Sequence, residues 1–96
     1  MIDRISKNEE RLDMALSSVE NLEKALEDFK KNKKDIKLLN KYYGSKAWFN
    51  DKDAFEKKKI ANVKAGVLSE DAVWNMNEDI SYLISEMKKI VSNYKR

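Results

Sequence analysis

Side chains that could carry out catalysis are scarce in this sequence. It holds no histidine and no cysteine, so it lacks the commonest general base and a strong protein nucleophile. The nearest approach to a catalytic pair is Asp51 with Asp53. A carboxyl that acts as a general acid needs burial to raise its pKa, and this polar stretch offers none. We interpret the pair as a solvated loop or a helix cap, with an acidic or divalent-metal site as the alternative.

Cofactor sites are equally hard to place. Zinc sites are built mainly from histidine and cysteine ligands. A phosphate-binding loop needs closely spaced glycines, and the chain has only Gly44 and Gly66. We therefore expect no enzyme activity, no metal and no cofactor.

Lysines dominate the middle of the chain. Residues 1–29 carry 4 basic and 8 acidic side chains, whereas residues 30–64 carry 12 lysines and 4 acids. We interpret the lysines as a solvated face, with a contact for an acidic partner, nucleic acid or protein, as the alternative. Arginine, the usual reader of bases, is absent from this segment, which argues against sequence-specific DNA recognition. The candidate basic surface comprises Lys30, Lys31, Lys33, Lys34, Lys37, Lys41, Lys57, Lys58 and Lys59.

Aromatic residues mark a second candidate site. Tyr42, Trp48 and Phe49 lie close together in sequence, and Trp74 follows one turn into a later helical pattern. We interpret them as a small core at one end of the molecule and expect Trp48 and Trp74 to be close and at least half buried. The alternative is a partner-binding pocket, because tryptophan and tyrosine are favoured interface anchors.

Two long amphipathic patterns must position these groups. The first favours one helix over about residues 4–43, with Gly44 as the residue that ends it. The alternative is a helix that frays or bends at residues 30–35. Ser45 can cap a short helix, and Asp53 with Glu56 can cap another. The last pattern predicts a helix over about residues 70–94, with Ser69 as its N-cap and acids in its first turn. The first seam repeats every seven residues in two series, Ile5, Leu12, Val19, Leu26 and Asn8, Ala15, Leu22, Phe29, Ile36, Tyr43.

These lengths predict one all-α domain over residues 1–96. Its architecture is a long antiparallel helical hairpin with a short helical insertion, about residues 45–66, between the two long helices. The first helix is longer than the last, so its uncovered apolar length could also support a homodimer. The predicted shared core consists of Leu12, Val19, Leu22, Leu26, Ile80, Leu83 and Met87.

The cellular location is predicted from three features that the sequence does not show: cysteine, a long apolar run and a signal-peptide pattern. Without cysteine the fold cannot rely on disulfides, which fits a reducing compartment. No apolar run approaches the roughly 20 residues that span a bilayer, and the first residues show no signal-peptide pattern. We expect a cytoplasmic protein without membrane contact.

Two motifs resemble a family of short bacterial helical proteins known as a domain of unknown function. They are YYGSKAW at residues 42–48 and GVLSEDAVW at residues 66–74. The resemblance covers nearly the whole chain and implies a helical fold without an assigned activity. This chain departs from the family pattern at residues 57–64, where KKKIANVK replaces an acidic linker with glycine and proline. A function carried by that linker therefore does not transfer.

These observations favour a non-enzymatic protein–protein interaction module, either an adaptor or a stoichiometric inhibitor of a larger complex. By analogy, some small inhibitors of this kind are carried by phages and mobile elements against host nucleic-acid defence systems. The alternatives are non-specific nucleic-acid binding through residues 30–64 and structural self-association through the heptad seams.

Overall fold

The first and longest element is a single helix, α1, at Ile2–Tyr42. The computed structural model describes residues 1–58 and 63–95. α1 continues without a break through the lysine-rich residues 30–37, as the uninterrupted seven-residue series predicts. Asp3 in its first turn and Lys41 in its last turn match the helix dipole. At 41 residues the helix is about 60 Å long.

A tight turn after α1 leads into α2, which runs Lys46–Glu56. Gly44 lies in the turn with a φ of +76°, a conformation that glycine adopts without a steric penalty. Asp53 lies inside α2 and does not begin a second short helix, so that prediction is wrong. Its carboxylate instead pairs with Lys57 one turn later, at 3.1 Å.

The last helix, α3, runs Ala72–Asn93 and follows a short 3₁₀ turn at Gly66–Leu68. The predicted start near residue 70 is early by about one half turn. The N-cap of α3 is Asp71 and its first turn carries no acidic residue, so the predicted Ser69 cap with acids in the first turn is wrong. The Ser69 hydroxyl still accepts the Ala72 N–H, at 3.1 Å. The described residues contain helices and turns and no strand, so the predicted all-α class is confirmed.

The chain divides into two compact units, Met1–Lys37 and Leu38–Arg96. The second unit holds the buried apolar side chains of the described residues, Trp48 and Val73. The predicted core of the long helices is wrong in this single chain: its members other than the half-buried Ile80 are 43–60% exposed. A heptad repeat gathers apolar side chains on one face, but only a second element can take that face out of water. The exposed members are Leu12, Val19, Leu22, Leu26, Leu83 and Met87.

Among the described residues, no helix has the combined length and apolar character that crossing a membrane requires.

Candidate functional site

The turn between α1 and α2 sets the position of the aromatic residues. Ser45 is the N-cap of α2, and its hydroxyl accepts the Trp48 N–H at 3.2 Å. The Ser45 N–H in turn donates to the Tyr42 carbonyl at 2.9 Å. Gly44 supplies the positive φ that this reversal needs, as the sequence predicts. These local bonds fix the direction in which α2, and with it Trp48, leaves α1.

Trp48 is the centre of the small core in the second unit. Its side chain is only 4% exposed, and its indole N–H donates to the Val67 carbonyl at 2.9 Å. Tyr43 and Phe49 meet its ring edge to face, with ring centroids 5.2 and 4.9 Å away. Burial of a large ring with a satisfied polar atom makes Trp48 a structural support for the residues around it.

Two contacts tie this core to the start of α3. The Tyr43 hydroxyl donates to the Glu70 carbonyl at 2.7 Å. The Lys52 ammonium pairs with the Glu70 carboxylate at 3.0 Å and lies 5.2 Å from the Trp48 ring centroid. The ammonium therefore combines an ion pair with a cation–π contact. Because Glu70 is exposed, we expect the ion pair to contribute at most about 1 kcal/mol.

Tyr42 and Asp51 form the other polar link between α1 and α2. The Tyr42 hydroxyl donates to the Asp51 carboxylate at 2.6 Å. This hydrogen bond raises the pKa of Tyr42, with desolvation and the negative charge of Asp51 acting in the same direction. A shallow groove of about 340 Å³ adjoins the pair and is lined in part by Phe55 and Val67.

The two carboxylates considered as a catalytic pair are engaged separately. Asp51 accepts the hydrogen bond from Tyr42, and Asp53 pairs with Lys57. Within residues 1–58 and 63–95, no three or more acidic side chains converge in a way that could hold a metal ion. The Tyr42–Asp51 hydrogen bond therefore holds α2 against the end of α1.

The four candidate partner-binding residues occupy different environments. Trp48 is buried and Tyr42 is half buried, whereas Phe49 and Trp74 are each 59% exposed. The prediction that Trp48 is buried is confirmed, and the prediction that Trp74 is at least half buried is wrong. Trp74 directly follows the buried Val73, and successive side chains on a helix point about 100° apart. Burial of Val73 thus turns Trp74 towards solvent.

The candidate basic surface divides between the two units. Lys30, Lys31, Lys33, Lys34 and Lys37 are exposed on α1 within Met1–Lys37. Lys41, Lys57 and Lys58 are exposed in the second unit, and Lys59 lies outside the described residues. Two of these lysines have acidic neighbours on their own helices, Lys30 with Glu27 at 3.5 Å and Lys57 with Asp53.

Sequence reasoning missed three participants in the site, Lys52, Val67 and Glu70. Lys52 and Glu70 are separated by 18 positions, and Trp48 and Val67 by 19. Val67 acts through its backbone carbonyl, which any residue carries. Lys52 is one of many lysines in its segment. No residue-type signal in a single sequence distinguishes such contacts.

Comparison with known proteins adds a family match. A family model described as a domain of unknown function, DUF4298, matches residues 5–90. No curated protein and no solved structure matches the chain.

Proposed function

The chain belongs to the DUF4298 family, a domain of unknown function, and we propose that it is a non-enzymatic protein-interaction module that binds its partner through Phe49 and Trp74. The observation that carries the proposal is the exposure of these two large aromatic side chains, 59% each. Each directly follows a buried residue on its helix, Trp48 before Phe49 and Val73 before Trp74.

The buried neighbours give the exposed aromatics a rigid support. Trp48 is held by its hydrogen bond to Val67 and by edge-to-face contacts with Tyr43 and Phe49. A side chain on a fixed backbone loses less conformational entropy when it binds. Tryptophan is among the residues enriched at interface positions that carry most of the binding energy.

The test compares capture of a protein partner by the wild-type chain and by surface variants. Phe49→Ala with Trp74→Ala should lower capture of the main partner at least about tenfold, the equivalent of ~1.4 kcal/mol. Tyr82→Ala is the matched control, because Tyr82 is an exposed aromatic on α3. The captured protein is then purified and titrated calorimetrically with each chain. Equal binding by the double variant and the control would show that this surface is not the interface.

An adaptor and a stoichiometric inhibitor differ in what the bound partner then does. An inhibitor lowers its partner's activity in proportion to the amount added and reaches its limit near one chain per site. An adaptor leaves that activity intact and brings a second protein into the complex. Activity titration and native mass spectrometry of the purified complex separate the two. We propose the cytoplasm as the location, supported by the absence of cysteine.

Non-specific nucleic-acid binding is the second candidate, favoured by the placement of four lysines on α1. Lys30, Lys33, Lys34 and Lys37 are exposed and fall within an arc of about 100° at 3.6 residues per turn. Such a row could follow a phosphate backbone. Its affinity should not depend on sequence, and it should fall with salt at a slope of about −0.9 per phosphate neutralised on duplex DNA.

Fluorescence polarisation with a mixed-sequence duplex and a single strand tests this candidate at about 150 mM salt. Changing the four lysines to Gln should weaken any binding by a similar factor on every sequence. A control chain with Lys46, Lys64, Lys88 and Lys89 changed to Gln loses the same charge elsewhere. We expect weak or no binding by the wild type, because eight acids within residues 1–29 share α1 with these lysines. Sub-micromolar affinity that the control retains would make nucleic-acid binding the leading function.

A further inference from the structure

The apolar seam of α1 remains in water along the first unit. We use "α1 seam" for Ile5, Asn8, Leu12, Ala15, Val19, Leu22, Leu26, Phe29, Lys33 and Ile36, which follow the alternating three- and four-residue spacing of a coiled coil. No residue of α1 is buried, and the large apolar members from Ile5 to Phe29 are 43–60% exposed. Helices in water depend mainly on the packing of an apolar face, so this seam calls for a covering element.

We propose that a second copy of this chain covers the α1 seam, with the two α1 helices antiparallel about a two-fold axis between residues 20 and 21. In that register two residues of the α1 seam form a layer when their numbers add up to 41. Each position of the first seven-residue series then meets a position of the second. The resulting layers are Ile5 with Ile36, Leu12 with Phe29, Val19 with Leu22, Leu26 with Ala15, and Lys33 with Asn8.

The charges along α1 favour this orientation. Residues 2–20 carry three basic and five acidic side chains, and residues 21–39 carry six basic and four acidic. Antiparallel helices place these halves against each other, so opposite net charges face across the dimer. Parallel helices would place the lysine-rich half against its own copy and would put Lys33 against Lys33 inside the seam. Burial of two like charges without a partner is strongly unfavourable.

The positions flanking the α1 seam select the register. In an antiparallel pair the residues just after the second series face their counterparts in the other helix. In the proposed register Glu9 faces Lys30 of the second copy, and the symmetry repeats that pair. A shift of one heptad in one direction pairs Glu9 with Glu23, a like-charge contact. A shift in the other direction pairs Glu9 with Lys37 but places Glu23 against its own copy. Lys30 is exposed and has only a loose contact with Glu27, at 3.5 Å, so it is free to change partner.

Sedimentation equilibrium of the full chain tests the dimer directly. We expect the 11.3 kDa chain to associate into dimers as its concentration rises through the micromolar range. Leu22→Asp should weaken dimerisation at least about a hundredfold, because it places a charge in the centre of the α1 seam. Met14→Asp is the matched control: Met14 is an apolar residue of the same helix, 72% exposed and off the seam.

Charge reversal tests the register. Glu9→Lys and Lys30→Glu should each weaken the dimer, and the chain with both changes should recover most of the wild-type affinity. Cross-linking tests the orientation, since the chain has no cysteine of its own. A mixture of Leu12→Cys and Phe29→Cys chains should give the mixed product with a short bismaleimide much faster than either homotypic product.

Three results would overturn the proposal. The first is a monomer at every concentration. This includes the case in which Leu22→Asp lowers stability equally at all concentrations, because that result indicates a seam covered within one chain. The second is a dimer weakened equally by Leu22→Asp and Met14→Asp. The third is rapid homotypic cross-linking through Leu12→Cys, which indicates parallel helices. The proposed partner interaction is tested with Phe49 and Trp74, which lie outside the α1 seam. Failure of the dimer test therefore does not decide the partner test, and failure of the partner test does not decide the dimer test.

Discussion

Trp48 is 4% exposed in the second unit, whereas Leu22 in the middle of α1 is 58% exposed. Both belong to amphipathic patterns, yet only Trp48 is enclosed. Around it the chain turns at Gly44, and the Trp48 indole and Tyr43 hydroxyl bond to backbone carbonyls 19 and 27 positions further on. The α1 seam has regular spacing but no such fixed tertiary bonds among the described contacts of Met1–Lys37. Periodicity thus creates an apolar face, and a turn with long-range polar contacts encloses one.

The largest effect expected from this contrast is that of Trp48→Ala. Removal of a buried tryptophan costs about 3–5 kcal/mol, and here it also leaves the Val67 carbonyl without its indole donor. Trp74→Ala is the matched control, because Trp74 is the same residue type in the same unit but is 59% exposed. It should cost less than ~1 kcal/mol. Urea unfolding followed by circular dichroism measures both, and equal losses would contradict the assignment of Trp48 as the core.

Gly44→Val should give the next largest effect. The φ of +76° at Gly44 disfavours a β-branched residue by about 1–2 kcal/mol or more. No atom lies within 4 Å of a Cβ built at either glycine, so space is not the limiting factor. Gly66→Val, at a site without a positive φ, should therefore be much milder. If the two variants unfold at the same urea concentration, the turn does not impose the backbone strain described here.

The local features of this second unit could be predicted from sequence because single residues determine them. Gly44 ends α1 by its backbone freedom, and Ser45 caps α2 with its hydroxyl as expected. The all-α class follows from long stretches without proline. Element ends were less accurate: α3 begins at Ala72 after a 3₁₀ turn. Caps and short 3₁₀ turns commonly shift such boundaries by one or two residues.

What covers an apolar face could not be predicted in the same way. The spacing of Leu22 and Leu83 predicts that each lies on a seam, but an intrachain partner and a second copy satisfy that spacing equally well. Both side chains are exposed in the single chain, Leu22 at 58% and Leu83 at 55%. The aromatic site shows the same limit. The sequence grouped Trp48 with Trp74, but it contained no signal that the first is buried and the second exposed.

Leu22→Ala tests this point with a smaller expected effect. A fully buried leucine contributes about 1.5–3 kcal/mol through burial of its side chain. With Leu22 58% exposed, the variant should lose less than ~1 kcal/mol at protein concentrations too low for the proposed dimer to form. The loss should grow with protein concentration as the proposed dimer forms. Thermal unfolding at several protein concentrations measures the stability lost by Leu22→Ala. A large loss that does not depend on concentration would show that Leu22 packs in the core of a single chain.

The smallest expected effect concerns Tyr42 and appears only at alkaline pH. The hydrogen bond to Asp51 raises the pKa of Tyr42 above its ordinary value of 10.0, so the folded chain holds this phenolic proton more tightly than the unfolded chain. Its contribution to stability is fully present below pH 10.0 and is lost as the pH rises through the higher folded-state pKa. Stability should therefore fall more steeply above that pH in the wild type than in Tyr42→Phe.

Tyrosinate absorbance gives a direct check, since the difference between the wild-type and Tyr42→Phe titrations isolates Tyr42. Asp51→Asn removes the negative charge and should move the Tyr42 titration back towards its ordinary pKa. A Tyr42 signal that titrates at 10.0 in the wild-type chain would show that the link between α1 and α2 does not persist in solution.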